Sequence, residues 1–257
     1  MSTKKATKNT QKQPAHGGCS ASPCSSSSMI VMPSSNTGFE CGRLFGAFPH
    51  RMAHLIGADD KRNPPTHRYA IDNGIFGAVS NKREWSPEPF FGLLETIAQW
   101  IPPMWVVVPD AMGDKDETLR RWKKYAPTCR LFDVPLAFAA QDGMTPADVP
   151  DDADVVFIGG GTEWKWRNVR SFAAAHPRVH VGRVNTYRLL WMADKAGAES
   201  CDGTGWFRGD QTQIAGLWKY LKESENGGQP QQDLFDALGV EVENSTGQCP
   251  TIGESAA

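Results

Sequence analysis

Eight short apolar runs recur between residues 29 and 202, and stretches with helical periodicity separate several of them. Each run has the length of a strand rather than that of a helix. Strands that alternate with helices are typical of parallel α/β proteins, and about eight such units close into a barrel. The sequence therefore predicts an α/β fold, an irregular (β/α)8 TIM barrel in a single domain. The predicted strands are Met29–Met32, Ala53–Ile56, Arg68–Ile71, Met104–Val108, Leu136–Ala139, Asp154–Ile158, Arg178–Val181 and Glu199–Asp202.

Helices are expected where apolar residues recur with a period near 3.6. The segment between Ile56 and Arg68 is too short for a helix and contains Asn63-Pro64-Pro65, so a loop is predicted there and the barrel is expected to be irregular in its first quarter. The predicted helices are Pro87–Trp100, Lys115–Tyr125, Trp166–Ala175, Thr186–Ala196 and Gln211–Leu221.

The length of 257 residues suits one barrel of about 250 residues. Residues 29–222 are predicted to form the barrel, residues 1–28 a disordered, basic, Ser-rich tail, and residues 223–257 a loop-like tail. No apolar run approaches the roughly 20 residues that span a bilayer, and the start of the chain lacks the apolar core of a signal peptide. The sequence therefore predicts a cytoplasmic protein without a membrane partner.

The formal net charge of −2 does not by itself indicate a nucleic-acid partner. Such a partner would need a local basic surface, although charges of this kind more often form only a solvated helix face. The six cysteines form no C-x-x-C pair, so no metal site is predicted and reduced thiols are expected. Strand alternation directs Cys201 to the face opposite its neighbour Asp202. The candidate basic residues are Arg120, Arg121, Lys123, Lys124, Lys165, Arg167 and Arg170.

Three carboxylates follow apolar runs directly: Asp72, Asp110 and Asp202. Gly203 and Gly205 come just after Asp202 and leave room for a ligand beside it. One such aspartate is most often a turn or helix-capping residue. Three of them at the carboxyl ends of barrel strands would converge on one face, where barrel enzymes build their active sites. The pattern therefore favours a functional site.

Other strand ends supply an amide from Gln141, a glycine run at Gly159–Gly161 with bare backbone N–H groups, and rings such as Phe76 and Trp164. The glycine run is not a P-loop, because no Gly-Lys-Ser/Thr follows it. His180 lies within a strand and is interpreted as a core residue. A carboxylate, an amide and N–H donors match the edge of a purine-like base, which aromatic rings can sandwich. Two further carboxylates suit glycosidic chemistry.

In their order and spacing these strand ends resemble the tRNA-guanine transglycosylase superfamily. They are more similar to its short branch of DNA-modifying enzymes (DpdA-type), which occur in phages and bacterial genomic islands and exchange guanine in DNA for a 7-deazaguanine base. The resemblance covers about Met29 to Leu221. It rests on Asp72-Asn-Gly-Ile-Phe-Gly-Ala78, Ala140-Gln-Asp-Gly-Met-Thr145, Phe157-Ile-Gly-Gly-Gly-Thr-Glu-Trp-Lys165 and Val181-Gly-Arg-Val-Asn185.

The resemblance implies a double displacement with Asp202 as nucleophile and Asp72 as acid/base. Asp110, Gln141 and the glycines Gly159, Gly160 and Gly161 would recognise the base, with Phe76 beside it. DNA and a 7-deazaguanine base resembling preQ0 would be the substrates, no cofactor would be needed, and a phage-encoded member would act in the host cytoplasm.

Two alternatives remain beside this interpretation. The first is a tRNA-guanine transglycosylase with the same pocket, although the tRNA enzymes carry a cysteine-rich zinc site that this sequence lacks. The second is a non-catalytic nucleic-acid-binding subunit with the same fold, which would not be expected to keep all three carboxylates. An unrelated barrel hydrolase or aldolase would call for a histidine cluster or a lysine at a strand end.

Overall fold

The structure is a computed structural model, and it describes residues 29–34, 38–58 and 65–227. The predicted N-terminal tail and nearly all of the predicted C-terminal tail lie outside these residues, as do Asn63 and Pro64 of the predicted loop.

Eight parallel strands form one sheet in the order β1-β8-β7-β6-β5-β4-β3-β2. The sheet curls so that its first and last strands meet: Val31 donates to the carbonyl of Arg51 over 2.8 Å, and Ala53 donates to the carbonyl of Val31 over 3.1 Å. The predicted (β/α)8 TIM barrel in a single domain is therefore confirmed. The strands are β1 (Ile30–Pro33), β2 (His54–Gly57), β3 (Tyr69–Asp72), β4 (Val106–Val107), β5 (Leu136–Ala140), β6 (Val155–Ile158), β7 (Val179–Val181) and β8 (Ser200–Gly203).

Seven α-helices lie within the described ranges, two of them not predicted, and none is long and apolar enough to cross a membrane. The first of these two helices, Phe39–Ala47, contains Gly42 and Gly46, which weaken the helical signal. The second, Ile75–Ser80, has only six residues. As expected, the described residues between β2 and β3 form no helix. The helices are α1 (Phe39–Ala47), α2 (Ile75–Ser80), α3 (Pro87–Ile97), α4 (Lys115–Arg130), α5 (Thr162–Ala175), α6 (Tyr187–Lys195) and α7 (Gln211–Glu225).

Several helix ends differ from the prediction. Helix α4 continues through Pro127 to Arg130 instead of ending at Tyr125. Helix α5 begins at Thr162, four residues before the predicted start, so its first turn contains part of the segment interpreted as a strand-end loop. Helix α7 runs to Glu225, three residues into the predicted C-terminal tail. Between β5 and β6 a short 3-10 turn, Pro146–Asp148, replaces a helix.

The apolar core has two layers, because alternate strand residues face opposite sides. The inner layer fills the barrel and includes Leu55, Trp105 and Val107. The outer layer lies between the strands and the helices and includes Cys201, which is fully buried there. The prediction that Cys201 points away from its neighbour Asp202 is thus confirmed. Asp202 points inward and upward, toward the carboxyl ends of the strands.

Candidate active site

A pocket of about 910 Å³ opens at the carboxyl ends of the strands. The structure brings together all eight site residues predicted from the sequence. Asn73, Asp142, Phe157, Arg183 and Asn185 join them around the same pocket. The eight predicted residues that line it are Asp72, Phe76, Asp110, Gln141, Gly159, Gly160, Gly161 and Asp202.

Asp72 ends strand β3, and the chain turns into helix α2 two residues later through Gly74, whose φ of +79° favours glycine. Burial raises the pKa of Asp72 to about 7, and the negative charges of Asp202 and Asp110 act in the same direction. Backbone N–H groups of Gly74 and Asn73 offset only part of this rise. Asp72 can therefore both give and take a proton near neutral pH.

Asp110 follows β4 and is held by two side-chain amides. Asn73 donates from Nδ2 to its Oδ1 over 2.8 Å, and Gln141 donates from Nε2 to its Oδ2 over 2.6 Å. The backbone N–H of Gly113 donates to Oε1 of Gln141 over 3.0 Å, so the orientation of this amide is fixed. Burial raises the pKa of Asp110, and the bond from Asn73 opposes the rise. The sequence did not single out Asn73.

The glycine run differs from the prediction. Its N–H groups are not bare: Gly159 and Gly160 donate to the carbonyl of Ala140 over 3.0 and 3.2 Å, and Gly161 donates to Oδ2 of Asp142 over 2.6 Å. These donors are taken because β6 ends in a tight turn against the end of β5. They are therefore not available to a bound base as long as this turn is intact.

The glycines instead leave space for close neighbours. A Cβ on Gly160 would lie 2.4 Å from Cε3 of Trp164, and one on Gly161 would lie 2.8 Å from Oδ1 of Asp142. Trp164 packs against Phe172 with a ring distance of 5.9 Å and is not among the residues that line the pocket, which corrects its interpretation as a base-stacking ring. Phe76 does line the pocket and is 45% exposed.

Asp202, on β8, is the candidate nucleophile and is 5% exposed. Its Oδ1 accepts the backbone N–H of Arg183 over 3.2 Å, and its Oδ2 lies 3.1 Å from Nε2 of His180. The other nitrogen of this ring, Nδ1, lies 2.8 Å from the hydroxyl oxygen of Ser200.

His180 belongs to the core, as predicted, but sequence reasoning missed its contact with Asp202. A signal was available, since β7 and β8 pair in parallel with His180 opposite Ser200. Two residues in register on neighbouring parallel strands face the same side. Because Ser200 and Asp202 both face the barrel interior, His180 does too.

Ser200, His180 and Asp202 have the composition of a serine hydrolase triad, but not its arrangement. Ser200 has no exposed surface and lies one inward position below Asp202 on β8. A nucleophile must reach its substrate. Of the three residues, Asp202 is the one that lines the pocket, so its carboxylate is the end of this group that a bound molecule can reach.

Arg183 joins two sides of the pocket rim, and sequence reasoning missed it too. Its guanidinium donates to the carbonyls of Gly159 and Gly160 over 2.6 Å each, and its Cζ lies 5.1 Å from the centre of the Phe76 ring. The backbone of Arg183 has a φ of +61°, which is unfavourable for a residue with a side chain. This conformation aims its N–H at Asp202.

Lys165 was grouped by sequence with Arg167 and Arg170 as part of a possible basic surface, and for Lys165 the structure corrects this. Its side chain is buried, only 2% of the residue is exposed, and Nζ donates to the carbonyl of Gly182. Burial lowers the pKa of Lys165 to about 8, and the charge of Arg183 adds to the effect. Lys165 therefore supports the loop that carries Arg183.

The residues that the structure describes contain no group of three or more His, Cys, Asp or Glu side chains able to hold a metal ion. No model of a protein family matches the chain, and no curated protein matches it in sequence. The chemistry therefore follows from the pocket itself. A buried carboxylate with oriented hydrogen bonds and a second carboxylate with a pKa near neutrality together suit attack at a carbon centre coupled to proton transfer.

Proposed function

We propose that the protein is a DNA-guanine transglycosylase, a pentosyltransferase that exchanges guanine in DNA for a 7-deazaguanine base. The observation that carries this proposal is the pairing of Asp202 with Asp72 in one pocket. Asp202 has a hydrogen-bonding partner at each oxygen, whereas the pKa of Asp72 is raised to about 7 by burial and by neighbouring negative charge. Environments that give two carboxylates different proton affinities suit one nucleophile and one acid/base.

In the first half of the reaction the target guanine leaves the base stack and enters the pocket, at a cost of a few kcal/mol. A carboxylate oxygen of Asp202 attacks C1′ of the deoxyribose, and the bond between C1′ and N9 breaks. The electron pair of that bond goes to the guanine, and protonated Asp72 supplies the proton that neutralises it. The product is an ester between Asp202 and the sugar.

In the second half the incoming 7-deazaguanine gives its N9 proton to the Asp72 carboxylate. N9 then attacks C1′, and the ester bond breaks with its electron pair returning to Asp202. Esterification has meanwhile removed one of the two negative charges that raise the pKa of Asp72. The pKa of Asp72 therefore falls in the intermediate, which keeps it ionised and ready to act as a base.

The residues beside these carboxylates support selection of guanine. Both oxygens of Asp110 keep a free lone pair and can accept from N1–H and the exocyclic amine of guanine. Gln141 uses one hydrogen of Nε2 on Asp110 and keeps the second for O6. Since the N–H groups of Gly159 and Gly160 are occupied, Gln141 replaces them as the donor to O6 in this proposal. The pocket of about 910 Å³ is large enough for a nucleotide.

DNA is preferred over tRNA as the substrate because the strand-end motifs are more similar to those of the DNA-modifying branch. The test is to incubate the protein with duplex DNA or bulk tRNA and labelled guanine, and then with 7-cyano-7-deazaguanine, followed by mass spectrometry of the nucleosides. We expect exchange into DNA and a denaturation-resistant adduct between protein and DNA. Modified tRNA with unmodified DNA would contradict the choice of substrate.

The nucleophile is tested separately with Asp202→Asn, which keeps the shape of the side chain. We expect the adduct and guanine release to disappear while the thermal unfolding of the variant stays cooperative. Asp151→Asn, at an exposed turn, is the matched control and keeps full activity. An adduct that forms in Asp202→Asn at the normal rate rules out Asp202 as the nucleophile.

A further inference from the structure

A chain of three side chains leads from the pocket floor into the barrel. The ring of His180 lies between Asp202, which is 3.1 Å from Nε2, and Ser200, which is 2.8 Å from Nδ1. His180 and Ser200 have no exposed surface, so no water competes for these contacts. Neither residue reacts in the steps described above.

Two aromatic rings fix the plane of the imidazole. Phe157 stacks on His180 with a centroid distance of 4.7 Å and an interplanar angle of 27°. Trp105 meets the same ring edge-on, with a centroid distance of 4.7 Å and an angle of 64°. A ring enclosed in this way cannot turn away from Asp202 without disturbing the inner core layer.

The contact with Asp202 selects the tautomer of the ring, because a carboxylate only accepts hydrogen bonds whereas the hydroxyl of Ser200 can donate or accept. A hydroxyl can donate to Nδ1 of a neutral imidazole, and the hydrogen then resides on Nε2, which faces the carboxylate. The opposite tautomer would direct a lone pair at Oδ2 of Asp202, which is unfavourable in a buried site. Ser200 therefore supports the tautomer that donates to Asp202, since its hydroxyl can donate to Nδ1.

We propose that His180, supported at Nδ1 by Ser200, is the positioning residue of the nucleophile Asp202. Its Nε2–H holds Oδ2 while the backbone N–H of Arg183 holds Oδ1, so the carboxylate keeps one orientation at the pocket floor. A reacting group held in its attacking geometry gains rate without gaining substrate affinity. This inference rests on the proposed function, because it assigns a role within that reaction.

The test compares variants that keep or remove the donor. His180→Phe keeps a ring between Phe157 and Trp105 but removes Nε2–H. His180→Gln places an amide nitrogen near the position of Nε2, whereas the shorter His180→Asn places it near Nδ1 and cannot reach Asp202. Ser200→Ala leaves the ring and removes only the hydrogen-bond partner of its Nδ1. His176→Phe is the matched control, since His176 also stacks on a phenylalanine but contacts the carbonyl of Pro146.

In single-turnover adduct formation we expect His180→Phe and His180→Asn to be roughly 100-fold slower than wild type, with KM for DNA unchanged. Adduct formation in His180→Gln should be at least about tenfold faster than in His180→Phe. Ser200→Ala should be roughly tenfold slower than wild type. The control His176→Phe should react at the wild-type rate. Equal rates for His180→Phe and wild type, or no recovery in His180→Gln despite normal folding, would overturn the proposal.

A second measurement does not depend on activity. The ¹⁵N spectrum of the imidazole reports the tautomer of His180 directly, and we expect hydrogen on Nε2 in wild type and also in Ser200→Ala, where Asp202 is still present. Wild-type protein that never forms an adduct but shows this tautomer refutes the proposed function and leaves the His180 arrangement intact. Hydrogen on Nδ1 in active wild-type protein refutes the positioning role alone.

Discussion

Gln141 donates from Nε2 to Oδ2 of Asp110 over 2.6 Å, and this bond joins two residues that line the pocket at the ends of β4 and β5. The N–H of Gly113 fixes the other end of the amide. Because neither group can flip alone, the pocket presents acceptors at Asp110 and a donor at Gln141. Guanine offers the complementary pattern, with donors at N1 and the exocyclic amine and an acceptor at O6. Adenine offers the opposite pattern along that edge.

Asp110→Asn therefore weakens binding of free guanine by roughly 10- to 100-fold, since one acceptor oxygen becomes an NH2 group that faces the donors of the base. Titration calorimetry with guanine measures the effect. The charge itself is not needed for folding, because burial raises the pKa of Asp110, but the new NH2 group also faces an amide donor of Asn73 or Gln141, so an unfolding curve accompanies the titration. Asp151→Asn serves as the control, and guanine binding of normal affinity in Asp110→Asn would contradict the recognition role.

Asp72→Asn makes the protein more stable at alkaline pH. The folded-state pKa of about 7 exceeds the ordinary value of 3.8, so folded protein binds the Asp72 proton more tightly than unfolded protein. The stabilisation that the Asp72 proton gives the wild-type fold is complete below about pH 4 and is lost as the pH rises through about 7. At pH 8 the variant should gain roughly 1 to 3 kcal/mol of unfolding free energy, because the partly exposed site screens the full shift. Urea unfolding at pH 5 and pH 8 checks this, and an equal gain at both pH values would contradict it.

We expect the two half-reactions of the proposed exchange to respond to pH in opposite directions. Adduct formation needs protonated Asp72, so its rate falls as the pH rises above about 7. Attack by the incoming base needs the Asp72 carboxylate, so its rate falls on the acid side. That fall begins below pH 7, because esterified Asp202 carries no negative charge and therefore no longer raises the pKa of Asp72. Rapid-quench measurements on each half-reaction give the two pH profiles separately. Parallel pH profiles for both halves would show that Asp72 does not serve as acid and base in turn.

The alternation of apolar runs was enough to predict the barrel, because each strand of a parallel sheet is buried on both faces and reads as a continuous apolar segment. Helix α1 was missed for a physical reason. Its packing depends on three buried residues, Cys41, Leu44 and Phe45, and its two glycines lower the helical propensity. Such a helix is stabilised by tertiary contacts that no local pattern encodes.

Residues at the carboxyl ends of parallel strands meet at one face of a barrel, and this expectation located the residues whose position depends on backbone topology alone, such as Asp72, Asp110 and Gln141. It could not assign the hydrogen bonds. The N–H groups of the glycine run are occupied because two loops meet in space, and Lys165 is buried because helix α5 starts early enough to direct it at Gly182. Such side-chain directions follow from packing between elements that are distant in the sequence.

Gly182→Ala disturbs the nucleophile without removing or adding a polar group. An added Cβ would lie 2.9 Å from Cε1 of Phe157 and 3.3 Å from Oδ2 of Asp202, and the Phe157 ring cannot yield freely because it stacks on His180. We expect a loss of roughly 1 to 3 kcal/mol in unfolding free energy and adduct formation at least about tenfold slower. Gly92→Ala, on the exposed face of α3, meets nothing within 4 Å and should instead gain roughly 0.5 to 1 kcal/mol with unchanged activity. Denaturant unfolding and single-turnover kinetics on both variants measure the contrast, and normal adduct formation in Gly182→Ala would show that the close packing around Asp202 does not control its reactivity.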